Sequence, residues 1–169
     1  MKTVWNKSAI KALQVFNWVF FAVMVGANYL ANALPFNNKT TGQLSDQYPN
    51  LFVPAPLTFA IWGVIYLLLL FFCIKQSKSL FQKHVDEATA DTVGIIGARF
   101  IVTCILNVLW ILSWHYEYLI FSVFVMLALL TQLISINARL NLITPFLNKT
   151  SRMAIKAPFG GYLGWICIA

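Results

Sequence analysis

Charge is scarce in this chain. Of its 169 residues only 10% are Asp, Glu, Lys or Arg, and just five of those are acidic. A water-soluble domain carries roughly 25% charged residues, and so few charges cannot cover the surface of a soluble domain this long. Histidine occurs twice, at the separated positions His84 and His115, which leaves metal-assisted or general acid–base catalysis little to work with. The three cysteines, Cys73, Cys104 and Cys167, stand in apolar runs without a partner at metal-ligand spacing. Neither a zinc site nor a disulfide frame is expected, and all three read as buried thiols acting as small hydrophobes.

What the chain has in excess is apolar surface. Hydrophobic residues make up 60% of it, with Phe at 14 positions and Trp at six, and the mean hydropathy is +0.74. Disorder requires the opposite balance, low hydrophobicity with high net charge. The remaining class is an all-α, polytopic membrane helical bundle. The net charge of +7 could suggest nucleic acid, but Lys and Arg fall between long apolar runs and not on one face interleaved with aromatics. No nucleic-acid partner is expected; membrane lipid is.

A spanning helix needs about 20 mostly apolar residues at 1.5 Å rise. Four runs qualify, at about 12–34, 56–74, 95–114 and 118–137, and a fifth, 158–169, reaches the last residue. The apolar part of that fifth run covers only about half the hydrocarbon thickness. The expectation is five transmembrane helices in a single domain, 1–169, with the fifth incomplete and the natural protein continuing beyond Ala169. The first run is longer than the apolar core of a signal peptide and holds internal asparagines, so it reads as a retained helix.

Orientation follows from the basic residues. Lys2, Lys7 and Lys11 precede the first run; Lys75, Lys78 and Lys83 follow the second, with Arg99 just inside the third; and Arg139, Lys149, Arg152 and Lys156 lie in or beside the fourth connection. The first connection contributes only Lys39, and the third, His115 to Glu117, none. The positive-inside rule places the N-terminus in the cytoplasm. The expected location is a bacterial inner membrane, or alternatively an organelle membrane. Trp114, Tyr116 and Tyr118 read as an interfacial belt, with Trp5 a counterpart inside and His115 an interfacial residue. Segment 79–92 reads as a short surface helix on which His84 is solvated.

Polar groups in hydrocarbon are costly and face the bundle interior, so their angular positions are informative. Asn17, Asn28 and Asn32 fall within roughly 60° on the first helix, joined by Phe21, Met24 and Ala31. Phe100, Thr103, Asn107 and Trp110 share an arc of roughly 80° on the third, and Thr58, Trp62 and Tyr66 step by four along the second. Asn28, Trp62 and Asn107 each lie ~10 Å below the outer interface. Two readings stand: asparagines gluing helices together, or an aromatic-lined pocket with a few polar groups. The first outer loop, 35–55, is long enough to act as a lid, and Pro54 and Pro56 suit the entry to the second helix. Two triplets, Asn38-Lys39-Thr40 and Asn148-Lys149-Thr150, fit the glycosylation acceptor; the second falls inside, so neither is assigned a sugar.

These spacings resemble the tryptophan-rich sensory protein family, also called TspO/MBR or translocator protein. Pro54, Trp62 and Tyr66 keep that family's second-helix spacing; Phe100, Asn107 and Trp110 keep its third-helix pattern; and Tyr162-Leu163-Gly164-Trp165 with Ala169 resembles the start of its fifth helix. Pro56 stands where the family has a pocket tryptophan, and Thr103 where it has glutamine. The resemblance implies a five-helix membrane protein, commonly dimeric, that binds porphyrins, sterols or related hydrophobic ligands beneath the first loop. Asn28, Asn32, Trp62, Tyr66, Asn107, Trp110 and Trp165 are the expected ligand-binding residues. Indoles would hold a flat ligand and carboxamides would orient it.

The leading function is a non-enzymatic sensor or carrier of a hydrophobic small molecule, a tetrapyrrole or a sterol-like compound, with no required cofactor and porphyrin as a candidate ligand. The alternatives are a small-solute transporter or permease subunit, an enzyme degrading a bound tetrapyrrole through a redox-active tryptophan, and a structural membrane protein without ligand. No internal repeat supports the transporter, and the missing tryptophan at position 56 weighs against the enzyme.

Overall fold

In the computed structural model, residues 5–34, 36–48, 58, 60–82, 85–143, 145 and 149–168 are described. Pro54, Pro56, His84, Lys2, Lys83, Asn148 and Ala169 lie outside them, as does the part of the first loop from 49 to 55. All regular structure among the described residues is helical. The helices are α1 (Lys7–Ala33), α2 (Thr41–Asp46), α3 (Ile61–Gln76), α4 (Glu87–Ile96), α5 (Arg99–His115), α6 (Leu119–Ile143) and α7 (Lys149–Ile166). Short 3₁₀ turns at Phe36–Asn38 and Ser77–Ser79 precede α2 and extend α3.

The long helices start and pack for local reasons. Asn6 caps α1, its side chain accepting from the Ser8 and Ala9 amides at 2.9 and 3.4 Å, which satisfies N–H groups that a helix start leaves open. The buried stripe of α1 is Ile10, Gln14, Asn17, Phe21, Met24, Asn28 and Ala31. Those residues are spaced alternately by four and three, the period that keeps one seam against neighbouring helices. The expected stripe on α5, Phe100, Thr103, Asn107 and Trp110, is buried as a unit. Helix α1 packs chiefly on α5, α5 on α6, α6 on α7 and α7 on α3, with a lighter contact between α1 and α3 closing the circuit. Near the start of α5, Phe72, Phe100 and Phe159 meet edge to face, with centroids 5.0–5.8 Å apart.

Several boundaries differ from the sequence expectation. α1 begins at Lys7, five residues before the first apolar run. Among the described residues three helices are long and apolar enough to cross a membrane: Lys7–Ala33, Ile61–Ser79 and Leu119–Ile143. A fourth crossing is available if α4 and α5 count as one span, bent by 45°. The bend falls at Gly97, whose φ of 55° is a left-handed conformation that glycine adopts without a Cβ penalty. The short helix after the second span runs over Glu87–Ile96, later than expected, and buries Val93 and Ile96. α7 begins nine residues before the expected 158, because Lys149, Arg152 and Lys156 mask its first turns in hydropathy. Those same charges keep it outside the group of apolar spans.

Two other expectations are corrected by burial. His115 is fully buried, not interfacial: its ring Nδ1 lies 2.8 Å from the Ile111 carbonyl and its ring meets that of Phe36 in a T-shaped contact. Cys73 and Cys104 are buried as expected, whereas Cys167 is exposed. At the opposite end of α1, Trp5 is tied down, its Nε1 donating to Asp91 at 2.9 Å while its indole covers Gly94.

That basic end is held by an amide cluster. Gln14 Nε2 donates to the Gln76 carbonyl and to Ser79 Oγ, and Asn17 Nδ2 donates to Gln76 Oε1 at 2.8 Å. Trp18 Nε1 donates to Ser77 Oγ at 2.6 Å. Asn17 thus shares the α1 stripe with Asn28 but serves a separate layer. Replacing Gln76 with Leu strips the Asn17 amide of its acceptor, and orphaning a buried polar group costs about 1–3 kcal/mol. Gln76→Leu is expected to lower the unfolding temperature in detergent, as followed by circular dichroism. An unchanged transition would mean the cluster does not hold α1 to α3.

Candidate functional site

At the other end of the bundle three helices are joined by one chain of hydrogen bonds. Asn28 on α1 donates through Nδ2 to Asn107 Oδ1 on α5 at 2.6 Å and to its own helix at Met24 O, 2.9 Å. Asn107 Nδ2 in turn donates to Tyr162 Oη on α7 at 2.8 Å. Asn107 and Tyr162 are completely buried. The common level expected for Asn28 and Asn107 is therefore a direct contact. With both Nδ2 bonds of Asn28 used, its Oδ1 has no hydrogen bond among the described residues.

Trp62 on α3 is the centre of the aromatic layer beside this chain. It stacks on Tyr66 at 5.8 Å, lies 5.8 Å from Trp110, and meets Tyr162 and Trp165 edge-on at 5.6 and 6.1 Å. Offset and edge-to-face arrangements are those favoured by the aromatic quadrupole. Trp110 continues the stack to Trp114 at 6.3 Å. Trp114 is therefore part of the packed layer, whereas Tyr116 and Tyr118 are exposed, as an interfacial belt requires. The Tyr66 hydroxyl faces Asn107 without hydrogen-bonding geometry, and it and Trp165 Nε1 are buried without hydrogen-bond partners among the described residues.

A recess of about 730 Å³ opens in front of this layer, between α1, α3 and α2. Asn28, Trp62 and Tyr66 form its inner wall, Asn32 its exposed rim, and Thr40, Thr41 and Gly42 its cover. Gly63 lies on the α3 wall, where an added Cβ would meet nothing within 4 Å. None of the described residues lining the recess is charged. Of the seven residues expected to bind ligand, Asn28, Asn32, Trp62 and Tyr66 line the recess. The other three stand against them, Asn107 bonded to Asn28, and Trp110 and Trp165 packed on Trp62. Thr103 and Phe100 take no part: the Thr103 hydroxyl donates back to the Phe100 carbonyl at 2.7 Å.

The cover is folded and fastened. Asn37 and Asn38 take left-handed backbone angles, φ 56° and 60°, which Asn tolerates better than other side chains. They turn the chain into α2, where Thr40 and Gln43 form a reciprocal capping box. Glu117, in the three-residue turn between α5 and α6, then acts as a latch. It pairs with Lys39 at 2.8 Å and accepts from Tyr48 Oη at 3.1 Å, while Asn37 Nδ2 donates to the His115 carbonyl at 3.2 Å. Lys39 also donates to Gln47 Oε1 at 3.1 Å.

Sequence reasoning did not count Tyr162, Gly63 or Glu117 as site residues. Tyr162 precedes Trp165 by three and so shares its helix face, a signal the family spacing already contained. Glu117 had none, because its partners lie in a different loop. Among the described residues no cluster of His, Cys, Asp and Glu could hold a metal ion. The arrangement provides a neutral, aromatic-walled slot with carboxamide oxygens at one side.

A family model described as TSPO-like protein matches residues 14–169. No curated protein matches the chain, and no solved structure does.

The latch has a pH sign. The hydrogen bonds from Lys39 and Tyr48 to Glu117, with the lysine charge, hold its carboxyl below the ordinary range. A carboxyl lowered by folding contributes its tether at pH above its unfolded value, near 4.3, and loses it as pH falls through the lower folded value. A nitroxide at position 46, in a Cys167→Ser background, is expected to be immobile at pH 7 and mobile near pH 3. In Glu117→Gln it is expected to be mobile at both. A pH-independent spectrum in the parent would remove the latch.

Proposed function

The chain belongs to the TSPO-like protein family and is an integral membrane protein, and on that premise we propose that it binds one flat, largely apolar small molecule in the recess beneath α2, as a sensor or carrier. The observation that carries this reading is the neutral recess itself, about 730 Å³ in front of Trp62 and Tyr66. Small-molecule sites are typically clefts of about 300–1,000 Å³, mostly apolar, with a few placed polar groups. Trp62 contributes to the aromatic wall of the recess and is held by four other rings, and a pre-positioned aromatic loses little freedom on binding. Asn28 Oδ1 and the Asn32 carboxamide supply hydrogen-bond acceptors for a hydroxyl or N–H on the ligand edge.

Between the two ligand classes suggested by the family resemblance, the lining favours the uncharged one. A tetrapyrrole dicarboxylate needs cations or several donors to offset desolvation of its charges. None of the described residues lining the recess is a cation. A sterol-like molecule with one hydroxyl, or an esterified tetrapyrrole, meets no such cost. The topology proposed with this reading has five crossings, α1, α3, α4 with α5, α6 and α7, the N-terminus on the cytoplasmic side, and the recess opening outward.

Energy transfer from tryptophan to a fluorescent sterol in lipid nanodiscs tests the proposal. Transfer is expected to saturate, and the neutral dimethyl ester of protoporphyrin is expected to compete better than the free diacid. Gly63→Phe fills open space on the recess wall without entering packed side chains, so it is expected to abolish saturable transfer and leave unfolding unchanged. Asn28→Ala is expected to weaken binding by roughly 5- to 10-fold, the worth of about one hydrogen bond. Unsaturable transfer in the parent, or a Gly63→Phe protein that binds normally, would refute the reading.

A further inference from the structure

A second cavity, of about 280 Å³, lies at the opposite end of the bundle among α3, α4 and α7. Its floor is apolar and buried: Phe72, Val93, Ala154 and Ile155. Its rim carries Lys75 and Lys78 with the hydroxyl residue Thr89. Neither ammonium has an ion pair or hydrogen bond among the described residues, although Lys75 is half-buried. The one carboxylate on the rim, Asp86, is engaged at the start of α4, accepting from the Thr89 amide at 2.9 Å. Lys149 and Lys156 on α7 add positive charge to the same end. With two ammoniums against the one Asp86 carboxylate, the rim carries a net positive charge, which fits an anion.

The face of α3 that leads to this rim narrows the class of anion. Phe71, Ile74, Lys75 and Lys78 lie at i, i+3, i+4 and i+7, one stripe of the helix and its 3₁₀ extension. Phe71 and Ile74 are exposed, at 47% and 52%, on a helix long and apolar enough to cross a membrane. The stripe therefore changes from exposed apolar to basic within one turn, as a helix face does where it leaves hydrocarbon for the phosphate layer. A soluble phosphate ester would use the two ammoniums alone, without the apolar stripe that leads to them.

We propose that this cavity is a binding site for the phosphate headgroup of an anionic lipid, held by Lys75 and Lys78, with an acyl chain lying along Phe71 and Ile74. Basic pockets between spanning helices at the membrane surface are suited to such headgroups. The site is separate from the recess and does not depend on its occupancy.

Native mass spectrometry of the full chain in detergent, given equal phosphatidylglycerol and phosphatidylcholine, reads the preference directly. Phosphatidylglycerol is expected to be retained in excess. Lys75→Gln/Lys78→Gln is expected to reduce that excess by roughly 30-fold, about fivefold for each ammonium. The exposed Lys78→Gln alone should show its fivefold share, which keeps the test if the double variant does not fold. Lys75→Arg/Lys78→Arg should retain the lipid, and Lys7→Gln/Arg139→Gln, which removes the same net charge at two exposed residues outside the cavity lining, should change retention less than about twofold. Equal retention of the two lipids, or equal losses in the two Gln pairs, would overturn the site. Displacement of the lipid by millimolar inorganic phosphate would overturn the acyl-chain contact and leave a soluble-anion site.

Discussion

The chain Asn28–Asn107–Tyr162 is the constraint on which the recess end of this bundle depends. Inside a membrane, apolar contact with a neighbouring helix gains little over contact with lipid, so close packing and interhelical hydrogen bonds do the ordering. Here one carboxamide on α5 accepts from α1 and donates to α7. That fixes the rotation of all three helices at one depth. Trp62 on α3 is then enclosed by Tyr162 and Trp165 from α7 and by Trp110 from α5. The α1–α3 contact is left light enough for a recess to open between them.

The two ends of the bundle solve different problems with the same residue types. At the basic end, Gln14, Asn17 and Gln76 spend their amides on one another and close α1 against α3. At the lid end, the amides of Asn28 and Asn107 are spent on α1, α5 and α7 and not on α3, and glycine at 63 removes the side chain that would fill the gap. A clasp at one end and a gap at the other make a wedge-shaped slot, which the short α2 covers and Glu117 fastens from the far turn. The exposed latch lies in high dielectric, where a single ion pair contributes little.

Much of this was legible in the chain. Hydropathy located the long helices, and the 3.6-residue period placed Asn28, Asn107 and Trp110 on inward faces, because polar and bulky aromatic groups inside hydrocarbon have few other options. Trp62 and Tyr66 were legible from their spacing of four. What escaped notice lacked a periodic signature. Glu117 bonds a loop some 70 residues away, a relation no local pattern encodes. The early start of α7 is concealed by its own lysines and arginine, and the bend at Gly97 joins to α5 a short helix, α4, that read as lying on the surface. His115 read as interfacial from its neighbours, yet the left-handed turn at Asn37 folds Phe36 onto its ring and buries it.

The relay is most directly tested by a double-mutant cycle on unfolding in bicelles, comparing Asn28→Ala, Asn107→Ala and the pair. Interhelical carboxamide contacts in membranes are worth about 0.6–2 kcal/mol, and residues in direct contact are non-additive on that scale. A coupling energy in that range is the expected result. Strictly additive losses would show that the two asparagines act independently, and would contradict the account of how the recess is held open.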